Sequence, residues 1–370
     1  MHLFGIWLAS AALVFASATD EFVAAAKVRH GAVGEKAARF LVEHMSAADK
    51  ESLSAEFLTN NLDLAFEARE RFPWAKAVPE AIFLNDVLPY AVFDEPRDAW
   101  RADFLEKATP LVKDATTATE AVQALNQGFF KRINTHYHTG RKRTNQSPKE
   151  SMAQGKATCT GLSILLVDAC RAVGIPARAV GTPMWSNGRG NHTWVEIWDG
   201  DWHFTGADEY DAAGLDRGWF TGDAAKADAN RAEHAIYATS WKRDGLAFPM
   251  VWAPGSTAVA GVNVTGRYAA ATLAKHELGI RFFEGEERRA LKGRLLSKDG
   301  AVVAEFETKA GTADLNDMPQ MSVKPGERYR LSFEVEGKWR QTAEFTATAE
   351  TETRDLRAAN LEPMGIGAGL

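Results

Sequence analysis

The spacing of apolar residues divides the chain into three regions. Residues 20–130 are rich in Ala, Glu, Leu and Lys, and their apolar residues recur at helical spacing until prolines interrupt the pattern. The pattern predicts a helical N-terminal region over residues 19–127. The spacing is clearest in the run of Phe57, Leu58, Leu62, Leu64, Ala65 and Ala68.

The other two regions predict sheets. Residues 128–240 combine one apolar helix with short aromatic strands and glycine-containing turns, which favours a helix packed on an antiparallel sheet. Residues 255–355 alternate apolar and polar positions with period two, which predicts a C-terminal β-sandwich. We therefore expect an α+β protein. The alternation is seen in Tyr329, Leu331, Phe333 and Val335.

The first 18 residues form an apolar run that ends in the small residues Ala16-Ser17-Ala18. This is the pattern of a signal peptide that is cleaved after Ala18. At about a dozen residues the run is shorter than the ~20 that span a bilayer as a helix. We expect the chain to be exported, either to the periplasm or as a secreted protein. The mature chain is expected to have no integral membrane span.

Composition and charge narrow the classes of partner. The formal net charge is −6, and 45% of the residues are hydrophobic and 25% charged, as in ordinary globular proteins. Such a chain has no general attraction for phosphate, so we expect no nucleic-acid partner. The short basic run Arg141-Lys142-Arg143 is either a solvated loop or a rim that faces the substrate.

Only two cysteines, Cys159 and Cys170, are present, which excludes a disulfide framework in a chain that looks exported. If residues 159–173 form one helix, the two cysteines lie roughly 16 Å apart along it. A disulfide requires α-carbons within ~7 Å, so the two cannot pair. Cys170 lies among apolar residues and is expected in the core. An exported protein needs a reason to keep Cys159 as a thiol.

The segment around Cys159 has the pattern of a helix start. Cys159 follows Gly155-Lys156-Ala157-Thr158 and precedes apolar residues at helical spacing, and the run stops at Gly174-Ile175-Pro176. Backbone N–H groups and the positive end of the helix dipole stabilise a thiolate at such a position. The thiolate is the attacking species, so we predict that Cys159 is a nucleophile. The alternative is a small buried core residue.

A second motif supplies a base and an acid. The run from Asn191 to Trp198 alternates like a strand, and Asp199-Gly200 after it is a strong hairpin signal. His192 stands at the start of the first strand, where a base can face a helix N-terminus across a cleft. Asp208 and Glu209 follow the second strand. Either carboxylate can orient the imidazole by accepting a hydrogen bond from its far nitrogen.

These motifs in this order resemble the transglutaminase-like superfamily. Cys159 is followed by an apolar helix that ends in Gly-Ile-Pro-Ala-Arg, then by His192-Thr-Trp-Val-Glu-Ile-Trp-Asp-Gly-Asp-Trp, and then by an acid. The resemblance covers roughly residues 128–222. It implies a papain-like core in the middle region and a catalytic triad of Cys, His and an acid in that chain order.

The acid departs from the family pattern. In the family it usually stands four residues after the hairpin tryptophan, as in Trp-x-x-x-Asp, and that position is Gly206 in this chain. Asp208 and Glu209 come two and three residues later, so a bulge or a reshaped strand end has to bring one of them in. Glu209 is preferred because its longer side chain covers the extra path, and Asp208 stays the alternative.

The resemblance implies an enzyme that acts on amide bonds through a thioester and needs no cofactor. Hydrolysis by a peptidase or amidase is favoured over cross-linking, because exported enzymes work in abundant water. Peptides, proteins or cell-wall peptides are the expected substrates. Backbone N–H groups at the helix start are expected to stabilise the oxyanion, with Gln146 or Asn145 as a further donor. The alternative is a non-catalytic binding module on the same scaffold.

Three other histidines carry weaker patterns. His136 and His138 stand two residues apart, as a metal pair on one strand would, but no Cys, Asp or Glu stands at zinc spacing beside them. A polar surface or groove is therefore the preferred interpretation, and no metal is expected. His203 alternates with its aromatic neighbours and is interpreted as a structural residue rather than a second base.

Overall fold

Helices follow one another through residue 132, as the spacing of apolar residues predicts. Ser54 and Thr117 cap α3 and α7, because each side chain accepts a hydrogen bond from the backbone N–H three residues on. The helices are α1 (Phe4–His44), α2 (Ala47–Ser52), α3 (Ala55–Arg71), α4 (Pro73–Lys76), α5 (Glu80–Asp86), α6 (Arg101–Ala108) and α7 (Ala118–Arg132). The buried positions that the spacing marked on α3 are Leu58, Leu62, Ala65 and Ala68.

The structure, a computed structural model, describes residues 4–269, 277–311, 317–324, 326–348 and 352–363. Helix α1 is kinked at Gly31, where φ is +64°. The predicted leader falls at the start of α1, and its cleavage stays a prediction. In the part of the chain just given, no helix is long and apolar enough to cross a membrane.

A five-stranded antiparallel sheet with a buried helix against it forms the middle of the chain, as predicted. The strand order is β5-β4-β3-β6-β7. Ile164 and Leu165 of α9 share one core with Val195 and Ile197 of β4. The elements are β1 (His136–Tyr137), α8 (Pro148–Gln154), β2 (Lys156–Ala157), α9 (Cys159–Ala172), β3 (Ala177–Thr182), β4 (His192–Trp198), β5 (Trp202–Thr205), β6 (Tyr237–Ser240) and β7 (Ala260–Asn263).

The C-terminal region is a sandwich of two sheets, as the period-two alternation predicts. One sheet has the order β11-β10-β13-β14-β17 and the other β12-β8-β16. Ile280 of the second sheet shares a core with Leu331 and Phe333 of the first. The elements are α10 (Thr221–Ala224), α11 (Thr265–Ala269), β8 (Glu277–Glu284), β9 (Glu287–Arg288), β10 (Lys292–Ser297), β11 (Val302–Glu307), β12 (Gln320–Ser322), β13 (Arg328–Val335), β14 (Lys338–Gln341), β15 (Phe345–Thr346), β16 (Glu352–Arg357) and β17 (Glu362–Pro363).

The chain folds as two compact units. The predicted site residues Cys159, His192, Asp208 and Glu209 all belong to the first unit. The first unit comprises Met1–Met184, Gly190–Gly218 and Ala229–Val264, and the second comprises Trp185–Arg189, Trp219–Asp228 and Thr265–Leu370.

Candidate active site

Cys159 is the first residue of α9, and Thr158 before it is the N-cap residue with extended backbone. The first-turn N–H groups of an α-helix have no carbonyl partner within the helix, and Cys159 belongs to this first turn. Cys159 is partly exposed and Cys170 is buried, and neither is in a disulfide. Burial raises the pKa of the Cys170 thiol. The helix therefore carries an accessible thiol at its positive end and an unreactive thiol in the core.

The loop before α9 is held by amide side chains. Gln146 accepts the N–H of Lys142 on its Oε1 at 2.9 Å and donates from its Nε2 to the carbonyl of Lys156 at 2.9 Å. Asn145 donates from its Nδ2 to Oδ1 of Asp94 at 2.8 Å. These contacts give both amides a structural role, so they do not support the expected oxyanion role. The N–H groups of the helix remain the candidate donors.

His192 is the first residue of β4, and its side chain is buried with 3% exposure. Its ring stacks on that of Trp194, with centroids 5.7 Å apart and an interplanar angle of 23°. A β-carbon at Gly181 on the neighbouring strand β3 would lie only 2.7 Å from the carbonyl oxygen of His192. A glycine at position 181 is therefore needed for the backbone of His192 to lie where it does.

Helix α9 and strand β4 meet at the ends that carry the two predicted catalytic residues. The hydroxyl oxygens of Thr160 and Thr193 lie 3.2 Å apart and form a buried hydrogen bond. Each threonine directly follows a predicted catalytic residue, Cys159 in one case and His192 in the other. The contact brings the thiol-bearing helix end and the imidazole-bearing strand end together.

Asp208 is engaged by a histidine other than His192. Its Oδ2 lies 2.8 Å from Nδ1 of His136, the first residue of β1. Burial raises the pKa of the Asp208 carboxyl, and the hydrogen bond with His136 opposes this rise. The backbone of Asp208 is left-handed, with φ of +65°, which is uncommon for a residue other than glycine. The backbone therefore turns at Asp208, just before Glu209.

Glu209 folds back to Gly206, the position at which the family's acid usually stands. A β-carbon built on Gly206 would lie 2.6 Å from Cδ and 2.9 Å from Cβ of Glu209, closer than real side chains approach. The carboxylate of Glu209 therefore fills the space into which a side chain at position 206 would project.

The register of β4 and β5 shows on which face of the sheet a side chain at position 206 would project. Val195 of β4 pairs with Thr205 of β5. One further step in an antiparallel register sets Gly206 opposite Trp194, and opposed residues project from the same face. His192 lies two residues from Trp194 on that face. Of the two candidate acids, Glu209 is thus the one whose side chain lies against Gly206.

Asn126 of α7 holds this turn, and the sequence analysis missed it. Its Nδ2 donates to Oγ1 of Thr205 at 3.0 Å and to the carbonyl of Gly206 at 2.8 Å, and its Oδ1 accepts the N–H of Asp208 at 2.9 Å. Asn126 is buried with 3% exposure. The only available signal was a polar residue on the buried face of an amphipathic helix, which does not say what it binds.

The other two histidines singled out in the sequence, His138 and His203, have structural partners. Nδ1 of His203 lies 2.7 Å from Oδ2 of Asp216, and Nδ1 of His138 accepts the N–H of Gly140 at 2.8 Å. Across the described parts of the chain, no group of three or more His, Cys, Asp or Glu side chains is arranged to hold a metal ion.

Comparison with known protein families identifies the region of the chain that carries the site. Residues 106–224 match the family described as the transglutaminase-like superfamily. This part of the chain is therefore a transglutaminase-like domain. No curated protein matches the chain.

Two solved structures are similar to the chain. One is described as "a Putative Cysteine Protease from Cytophaga hutchinsonii", with 18% identity over 44% of this chain and 58% of that one, and a TM-score of 0.26. The other is red sea bream transglutaminase, with 9% identity over 78% of this chain and 59% of that one, and a TM-score of 0.25. The chain thus spans less than two thirds of either protein.

Proposed function

We propose that the protein is an exported cysteine hydrolase of amide bonds in which Cys159, His192 and Glu209 form a catalytic triad. The observation that carries the proposal is the hydrogen bond between Thr160 and Thr193, which joins the two elements that bear the nucleophile and the base. The return of Glu209 to Gly206 supports its role as the third member.

In the first half of the reaction the Cys159 thiolate attacks the carbonyl carbon of the substrate amide, and a sulfur–carbon bond forms. The N–H groups of the first turn of α9 stabilise the oxyanion. Protonated His192 gives its proton to the amide nitrogen as the carbon–nitrogen bond breaks, and the amine leaves. Glu209 holds the imidazole in the tautomer that this transfer requires.

In the second half of the reaction water attacks the thioester carbon. Neutral His192 takes a proton from the water, the carbon–sulfur bond breaks, and the carboxylic acid leaves with the thiolate of Cys159 regenerated. A primary amine in place of the water would give transamidation. Hydrolysis is preferred because the leader pattern predicts export to a compartment rich in water. Peptides, proteins and cell-wall peptides are the substrates that the family's chemistry suggests.

The thiolate–imidazolium pair is tested by alkylation of Cys159 with iodoacetamide as a function of pH. Both proteins carry Cys170→Ala, and one of them also carries His192→Ala. We expect the wild-type site to react with a midpoint below the ~8.5 of a free thiol, and the His192→Ala profile to move to higher pH. Identical free-thiol profiles in the two proteins would leave the catalytic interpretation without support and favour a binding module.

Two conservative variants test which acid is the third residue of the catalytic triad. Glu209→Gln is expected to lower kcat for hydrolysis of a peptide library by roughly 10²- to 10⁴-fold, as loss of the orienting carboxylate does in other triads. Asp208→Asn should lower it less than about tenfold. The reverse ranking would make Asp208 the orienting residue. Mass spectrometry of the products, with and without added methylamine, separates hydrolysis from transamidation.

A further inference from the structure

A cationic side chain is bonded to the residue that precedes the predicted nucleophile. Nε of Arg141 donates to Oγ1 of Thr158 at 2.9 Å, and its Nη2 donates to Oγ1 of Thr144 at 3.0 Å. Thr158 is the residue before Cys159 and uses no side-chain hydrogen bond to cap α9. Bond lengths along this path put the Arg141 guanidinium at most about 12 Å from the Cys159 sulfur.

No carboxylate among the residues that the structure describes is paired with the charge of Arg141. Both of its hydrogen-bond partners are neutral hydroxyl groups, and its Nη1 makes no hydrogen bond to any residue that the structure describes. Its neighbour Arg143 differs, since Nε of Arg143 donates to Oε2 of Glu150 at 3.2 Å. Among the described residues, Arg141 forms no ion pair with an Asp or Glu. The hydroxyls hold the planar group in place and leave its charge available.

We propose that Arg141 binds a carboxylate of the substrate within one or two residues of the scissile amide bond. An arginine held in one orientation presents a planar fork of N–H donors that suits a carboxylate better than a lysine does. One residue of extended peptide spans about 3.3–3.6 Å, so an acidic residue or a free C-terminal carboxylate one or two residues from the scissile bond falls within the upper bound on the distance from the sulfur. The preferred substrate class is therefore acidic peptides. This inference rests on the proposed function, because it assumes that Cys159 is the reacting group.

The test compares two thiol probes of equal size that differ in charge. N-iodoacetyl-aspartyl amide carries a carboxylate one residue from the reactive carbon, and N-iodoacetyl-asparaginyl amide carries a neutral amide there. Both react with the same thiolate of Cys159 in the Cys170→Ala protein, so the ratio of their rate constants is independent of the thiol pKa. We expect this ratio to exceed that of free cysteine by about threefold or more, from the attraction between charges several ångströms apart near a protein surface.

Variants of Arg141 and Arg143 identify which side chain causes the preference for the aspartyl probe. Arg141→Gln is expected to return the ratio to the value of free cysteine, and Arg141→Lys to keep part of it. Arg143→Gln is the matched control and should leave the ratio unchanged, because its charge is already paired with Glu150. A ratio that Arg141→Gln leaves at the wild-type value would overturn the proposal.

A second measurement does not depend on thiol reactivity. Binding of N-acetyl-aspartyl amide and N-acetyl-asparaginyl amide is followed by NMR on the Cys159→Ala protein and on Cys159→Ala/Arg141→Gln. We expect tighter binding of the aspartyl compound, and its loss with Arg141. Equal binding of the two compounds to Cys159→Ala would overturn the role of Arg141. An unreactive Cys159 in a protein that still prefers the aspartyl compound would overturn the hydrolase and leave the anion site standing.

Discussion

The side-chain oxygens of Thr160 and Thr193 lie 3.2 Å apart, and this bond ties the first turn of α9 to the start of β4. Both residues are buried, with 0% and 4% exposure, so neither hydroxyl can turn to water instead. Any shift of the helix along the strand would break the bond. The relative position of Cys159 and His192 therefore depends on a contact between their neighbours.

We expect Thr160→Val and Thr193→Val each to lower the free energy of unfolding by about 1–3 kcal/mol, because each leaves one buried hydroxyl without its partner. The double variant should lose less than the sum of the two, since both groups are then apolar. Urea denaturation of the wild type, the two single variants and the double variant measures this double-mutant cycle. Thr59→Val on α3 serves as the control for a buried threonine away from the site. A strictly additive double variant would contradict a direct interaction.

The placement of Glu209 can be tested by moving the carboxylate. Gly206→Ala should lower kcat as far as Glu209→Gln does, because the new β-carbon takes the space of the Glu209 side chain. Gly206→Asp combined with Glu209→Gly should recover much of the activity, since it returns the acid to the position that the family uses. Peptide hydrolysis is the measurement. A double variant as inactive as Glu209→Gln would contradict the equivalence of the two positions.

Asn126 is expected to position the acid through the backbone of the turn. Asn126→Ala removes the partners of one buried and one partly buried backbone group and should lower the free energy of unfolding by roughly 2–4 kcal/mol. Asn126→Asp keeps the acceptor for the N–H of Asp208 but sets an oxygen against the carbonyl of Gly206, so kcat should fall while the fold persists. Gln123→Ala, one turn away on α7, is the control. Turnover that survives in Asn126→Asp would argue against a positioning role.

Burial raises the pKa of Asp86 from 3.8 to about 6, against the opposing effect of Arg178 and Arg171. A folded-state pKa above the unfolded value means that stability is fully present below about pH 4 and is lost as the pH rises to about 6. Asp86→Asn lacks this loss, so its advantage over wild type should grow across that window to about 3 kcal/mol at most. Urea denaturation of both proteins at several pH values measures this difference in the free energy of unfolding. Asp114→Asn, at an exposed carboxylate, is the control and should show no such growth.

Local patterns were sufficient to predict the main elements of the site. The helix that begins at Cys159, the Asp-Gly hairpin and the strand that begins at His192 all follow from spacing and turn residues within about 20 positions. The buried alternation of β13 followed in the same way, with Tyr329, Leu331 and Phe333 in the core. Such elements can be predicted because their backbone conformation depends mainly on near neighbours.

The path of the acid depends on contacts that no local pattern contains. Asn126 is 80 residues before Gly206 in the chain, and His136 is 72 residues before Asp208. These two side chains hold the carboxylate and the backbone N–H of Asp208. The sequence by itself predicted a nucleophile, a base and two candidate acids. Only the tertiary structure showed that the Glu209 side chain lies against Gly206 while the Asp208 carboxylate bonds His136, because distant side chains decide how a turn of four residues directs its carboxylates.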